Sequence, residues 1–187
     1  YGNARQLFEQ TMKQLGDPGS LMMANAMYHA GACAAELFQP DAERLLGMFI
    51  NEFTEHANQA MARFYMGNIK YRQRKYEEAA GWYAGLSARD LRPGLSNELW
   101  FKKAYCDLSV NKLQEARLGM MRITDQSSMY FRPARYYYGH IAYLEKDYAA
   151  AMDAFQALKD DPDFGPAVPY YITHILFLEE RFDELLS

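Results

Sequence analysis

The sequence predicts an all-α fold, an array of antiparallel helix hairpins with about eleven helices, on three observations. An Ala-centred skeleton recurs as Tyr76/Ala79/Tyr83/Leu86, Leu113/Ala116/Met120/Ile123 and Tyr148/Ala151/Phe155/Leu158, and Phe182/Leu185 opens another copy. Offsets of 0, 3, 7 and 10 mark one face of a helix. Twelve residues before the Ala place lies a small or short residue: Gly67, Ala104, Gly139 or Thr173. Finally, Pro18, Pro40, Pro93, Pro133, Pro162, Pro166 and Pro169 all fall between predicted helices or in a first turn, so none breaks a helix interior.

The elements follow in order. Residues 1–16 read as a partial repeat, because Tyr1/Ala4/Phe8 sit at the offsets of a second helix with no first helix before it. Residues 20–56 carry a weaker copy built on Ala30 and Ala42. Residues 57–92 pair the stripe Phe64/Gly67/Tyr71 with the Tyr76 skeleton, residues 94–128 pair Phe101/Ala104/Leu108 with Leu113, and residues 132–162 pair Tyr136/Gly139/Tyr143 with Tyr148. Residues 166–187 hold Tyr170/Thr173/Phe177 and stop at RFDELLS, just as a second helix begins. The small positions are 37 (67 to 104), 35 (104 to 139) and 34 (139 to 173) residues apart, the signature of one repeated unit. Both ends thus fall inside a repeat, which predicts a piece of a longer array with apolar ends open to self-association.

The small residue has a steric purpose. Helices joined by a tight turn pack about 8–10 Å apart, and a large side chain at the closest point would hold them off. Gly67 with Ala79, Ala104 with Ala116 and Gly139 with Ala151 are the expected contacts, with Tyr83, Phe155 and Leu158 filling the gap to the next hairpin.

This pattern resembles the tetratricopeptide repeat, a helix hairpin of about 34 residues with W-x2-L-G-x2-Y…A-x3-F…P. Trp100 with Ala104, Gly67 with Ala79 and Tyr83, Gly139 with Ala151 and Phe155, and Pro162 carry the likeness, over residues 58–187 well and 1–57 loosely. Two departures stand out: the linker ARDLRPGLSN is longer than the pattern wants, and Met120 replaces the aromatic. Irregular spacing of this kind is similar to degenerate bacterial repeats of envelope proteins, including the periplasmic Tol-Pal accessory type.

The resemblance implies a right-handed superhelical α-solenoid that binds a protein or peptide segment on a concave face lined by first helices. Carried across, the inward positions are Tyr65 and Asn68, Lys102 and Tyr105, Tyr137 and His140, and Tyr171 and His174, with Arg72 in an outer set. Such a groove is rich in tyrosine, which suits adaptable peptide contacts. Two readings stay open for each tyrosine, contact with a partner or packing between first helices. The carboxylate clamp of some family members is not expected: Asn68 is present, but Phe64 stands where its Lys should be, and Tyr137 and Pro133 take the later basic places. The alternative function is a structural spacer or assembly scaffold within a larger protein.

Other classes find little support. The formal charge is −4 and no basic face emerges, so nucleic acid is not an expected partner. The basic run KYRQRKY, Lys70 to Tyr76, reads as a solvated face. No apolar run approaches a membrane span, so direct membrane insertion is not expected. Cys33 and Cys106 lack the spacing of a zinc site and read as buried thiols, with a disulfide or a reactive thiol as alternatives. His140 and His174 hold equivalent places and face each other on this reading. Without a third ligand they hydrogen-bond to tyrosine or water rather than to a metal.

No G-x-S-x-G, G-x-x-x-x-G-K-[ST], H-E-x-x-H or C-x-x-C occurs, so no catalytic residue, cofactor or enzyme activity is expected. DDPDFG, Asp160 to Gly165, lacks the length and final Glu of a calcium loop and reads as a turn. Free thiols lean to a cytoplasmic site, while the tyrosine-rich irregular repeats lean slightly further to the periplasm or envelope.

Overall fold

The computed structural model describes residues 1–185; Leu186 and Ser187, the last residues of the predicted partial repeat, lie outside the described residues. Among the described residues the chain is all-helical, without strands. The helices are α1 (Gly2–Gln14), α2 (Leu21–Glu36), α3 (Ala42–Glu52), α4 (Gln59–Arg72), α5 (Tyr76–Tyr83), α6 (Ser96–Ser109), α7 (Leu113–Met121), α8 (Phe131–Leu144), α9 (Tyr148–Gln156), α10 (Val168–Leu178) and α11 (Phe182–Leu185). Consecutive helices pack on one another, including α2 on α3, α4 on α5 and α8 on α9. The contacts divide the chain into two compact units, residues 1–99 and 100–187, with the boundary inside α6.

One backbone device repeats through both units. Among the described residues, Phe38, Arg74, Asn111, Lys146 and Glu180 are the non-glycine residues with positive φ, all between 55° and 62°. Their separations are 36 (38 to 74), 37 (74 to 111), 35 (111 to 146) and 34 (146 to 180) residues. At each, the next amide donates to a carbonyl five residues back: Gln39 to Ala34, Lys75 to Lys70, Lys112 to Asp107, Asp147 to Ala142 and Arg181 to Leu176, at 2.8–3.0 Å. This is a Schellman closure, which uses up carbonyls left open at a helix end and turns the chain sharply into the next helix. The first helix of every hairpin therefore ends in the same way at the same place.

In residues 1–99 the core runs through Ala24, Met27, Ala30, Ala34, Leu46, Phe49, Ala62, Phe64, Ala79 and Tyr83, all nearly free of solvent. Small residues on α2 allow close approach: a Cβ on Gly31 would lie 2.9 Å from the Leu46 side chain on α3. Ser20 starts α2 by accepting from the Met23 amide at 3.2 Å.

Residues 100–187 hold two core clusters. Phe101, Ala104, Ala116, Met120, Ile123, Ala134 and Ile141 form the first, and Ala142, Ala151, Met152, Phe155, Leu158, Val168, Ile175 and Leu176 the second. Burial itself repeats at 34 residues, pairing Ala134 with Val168, Ile141 with Ile175 and Ala142 with Leu176. Asp147 caps α9 through the Ala150 amide at 3.3 Å, and Pro169 occupies the first turn of α10, where no amide is missed.

Three expectations need correction. The nearest neighbour of Gly67 is the Tyr83 ring, not Ala79, and those of Gly139 are Ala154 and the Phe155 ring, at 3.0 Å from a built Cβ. The helices cross so that the glycine receives the aromatic four residues beyond the Ala. Second helices also end sooner than the skeleton implies: α5 stops at Tyr83, ahead of Gly85 at φ 75°, so Leu86 lies beyond it. Ile123 and Leu158 also fall past their helices, yet both are buried. Last, the apolar stripe Tyr170/Thr173/Phe177 is not buried: Tyr170 is 67% and Phe177 58% exposed.

Candidate functional site

The nine residues singled out on first helices divide between the two units. In residues 1–99, Tyr65, Asn68 and Arg72 lie on α4. Tyr65 is 6% exposed and its hydroxyl accepts from Arg92 at 2.6 Å; burial raises the phenol pKa well above its ordinary value. Asn68, 8% exposed, accepts from the Tyr83 hydroxyl at 2.7 Å and donates to Glu98 at 3.1 Å. Tyr83 holds the place that Phe155 fills later in the chain, and its extra hydroxyl needs a partner once buried. Asn68 is that partner. Arg72 donates to the Ala35 carbonyl at 3.1 Å and lies over the Phe38 ring, 4.5 Å from its centroid.

The long linker after α5 accounts for part of this closure. Ser87 and Asp90 cap each other across a 3₁₀ turn at Ala88–Asp90, Leu91 is buried, and Arg92 reaches Tyr65. The extra linker length thus seals the α4 surface.

In residues 100–187 the corresponding positions build an aromatic seam. Lys102 and Tyr105 are half-buried on α6. Tyr105 meets Tyr137 edge to face at 5.1 Å, and both rings pack on Phe101 at 6.3 and 6.0 Å. Tyr137 continues to Tyr136 at 5.4 Å, Tyr136 to Tyr171 at 6.2 Å, and Tyr171 stacks on Phe155 at 4.6 Å. Such offset and edge contacts each contribute roughly 0.5–1.5 kcal/mol beyond the area they bury.

His140 and His174 do not bond each other. His140 Nδ1 is 3.2 Å from the Tyr171 hydroxyl, and His174 Nδ1 is 2.6 Å from that of Tyr143. Tyr170 also stacks over His174 at 6.1 Å. Burial lowers the pKa of His140 below its ordinary value. Burial, then a hydrogen bond with Tyr136, pushes Tyr171 up to about 12.

Ion pairs that the sequence left unpaired tie neighbouring helices together within each unit. Lys70 is 7% exposed and bonds Glu43 at 2.6 Å and Glu78 at 2.8 Å, joining α3, α4 and α5. The basic run from Lys70 is therefore not wholly a solvated face: its first residue turns inward, while Arg72, Arg74 and Lys75 stay exposed. Arg117 on α7 binds Glu145 at 2.7 Å and also Asp147, tying α7 to the α8–α9 turn. Glu43, Glu145 and Asp147 stand 27 to 30 positions from their basic partners and Glu78 eight from Lys70, none at a helical i,i+3 or i,i+4 spacing, so neither network was visible beforehand.

The remaining chemistry is quiet. Cys33 and Cys106 are free and buried; burial raises both thiols, Cys106 to about 12, so neither has thiolate character at neutral pH. Asp161 organises the DDPDFG turn by accepting from the Asp163 and Phe164 amides at 2.9 and 3.0 Å. Among the described residues no group of three His, Cys, Asp or Glu is placed to hold a metal, and no helix is long and apolar enough to cross a membrane. The chain matches no family model, and no curated protein is significantly similar to it.

Proposed function

We propose that the chain is a tetratricopeptide-like α-solenoid acting as a non-catalytic interaction module, which holds a protein or peptide segment against the first-helix face of residues 100–187. The observation that carries this reading is the continuous seam Tyr105, Tyr137, Tyr136, Tyr171, His140 and His174, each of them half-buried. Aromatic rings so placed offer large rigid surfaces at little entropic cost. The recurrent Schellman closures at 34–37-residue spacing support a repeat array as the scaffold.

A second reading draws on residues 1–99. There Tyr65 and Asn68 are buried and satisfied by Arg92, Tyr83 and Glu98, as a structural spacer would require. The two readings separate in a capture experiment. The immobilised chain and a Tyr137→Ala/His140→Ala variant are exposed to native extracts, with helicity checked by circular dichroism. A binding module loses its partner in the folded variant. A spacer retains the same proteins, or none, in both.

A further inference from the structure

The aromatic seam ends in two crossed bonds. His140 and Tyr143 stand one turn apart on α8, and Tyr171 and His174 one turn apart on α10. Tyr171 reaches back to His140, and Tyr143 reaches forward to His174. The two links share one spacing, 31 residues from 140 to 171 and 31 from 143 to 174.

A neutral imidazole carries one donor and one acceptor, whereas an imidazolium carries two donors and a charge. Charging His140 would place a cation in a half-buried site. The titratable groups facing this site are Tyr136 and Tyr143 from α8, Tyr148 from α9, and Tyr170, Tyr171 and His174 from α10. These are phenols and an imidazole, and none is an anion in neutral or acid solution. The charge would therefore meet a desolvation cost, with no carboxylate among the contacts of the described residues to offset it. Burial alone lowers the His140 pKa, in agreement with this geometry.

The neighbouring hairpin is built differently. α8 meets α9 through Gly139 against Ala154 and Phe155, and through Arg135 with Asp153 at 3.1 Å. No imidazole takes part.

We propose that the crossed Tyr–His bonds make the α8–α10 seam a pH-sensitive clasp, in which protonation of His140 loosens α10 from α8 while the α8–α9 hairpin stays closed. The clasp goes beyond the binding role, since it operates whether or not a partner occupies the face.

Amide hydrogen exchange at about pH 7.5 and about pH 5.5, corrected for intrinsic rates, tests it across the histidine range. Protection of α10 is expected to fall severalfold in acid while that of α8 and α9 holds. His140→Gln, which keeps a neutral polar group, is expected to diminish that fall clearly, the His174 bond to Tyr143 remaining. No acid-induced loss in α10, or an undiminished loss in the variant, overturns the clasp. Should the variant fail to fold by circular dichroism, an NMR titration of the parent decides. The His140 ring should titrate below 6.5 with α10 amide resonances moving in step. A midpoint at or above 6.5, or a silent α10, overturns it.

Discussion

Residues 1–99 and 100–187 use the same repeat positions in opposite ways. On α4, Tyr65 and Asn68 turn into bonds with Arg92, Tyr83 and Glu98 and are lost to solvent. On α6, α8 and α10 the equivalent places carry Tyr105, Tyr137, His140 and Tyr171, whose rings pack edge to face and remain half-exposed. The cause is local. Tyr83 brings a hydroxyl into the core where Phe155 brings none, and the linker after α5 supplies Arg92. A repeat position fixes where a side chain stands; the second helix and its linker decide how deeply that side chain is buried.

The largest effect should come from filling the small positions. A Cβ at Gly67 would overlap the Tyr83 ring, whereas at Gly139 it would meet Ala154 and Phe155 at 3.0 Å. Overpacking costs about 1–3 kcal/mol. Urea unfolding should therefore place Gly67→Ala near the top of that range and Gly139→Ala near the bottom. Equal losses would mean that both hairpins close alike.

Next comes the buried polar bond. Asn68→Leu removes the acceptor of the Tyr83 hydroxyl and should cost roughly 1–3 kcal/mol, while Asn68→Leu/Tyr83→Phe should recover much of it. Recovery converts the first unit's solution into the second's; its absence would show that Asn68 matters chiefly through other contacts.

The fold was legible where packing repeats. Gly67, Ala104 and Gly139, at a fixed spacing from Ala79, Ala116 and Ala151, showed hairpins in the sequence because close helix crossing demands small residues; that the glycines receive Tyr83 and Phe155 instead was not legible. The Schellman closures were hidden, since of Phe38, Arg74, Asn111, Lys146 and Glu180 only Asn111 is a residue that favours the left-handed region. The histidine places were legible, but their partners were not. Tyr143 lies three residues past the inward place of His140, Tyr171 holds an inward place one repeat later, and only the packing of α10 beside α8 brings them to His174 and His140. The closure of the α4 surface was hidden as well, because Arg92 sits in a linker with no periodicity.

Acid should act on both units. Burial lowers His29, helped by Arg92 and His56, and burial lowers His140. As pH falls below 6.5, the unfolded chain binds protons before these folded sites do, so stability present above 6.5 is lost until the lowered folded values are passed. Thermal melts at about pH 7.5 and about pH 5.5 should show a lower Tm in acid. Gln at position 140 should shrink the difference only in part, since His29 remains.

The smallest change concerns the left-handed closures. Lys146→Gly should stabilise by up to about 1 kcal/mol, because glycine adopts positive φ without steric cost. Phe38→Gly should gain less, since it also removes the ring beneath Arg72.

The contrast between a closed and an open face is tested most directly by photo-crosslinking in cells. A benzophenone side chain replaces Tyr105 on the seam, Tyr65 on the first unit, which is 6% exposed, or Leu118 on α7, which is 61% exposed. A protein adduct is expected from position 105, little from 65 and none from 118. An adduct from 118 alone, or the same yield from all three, would contradict it.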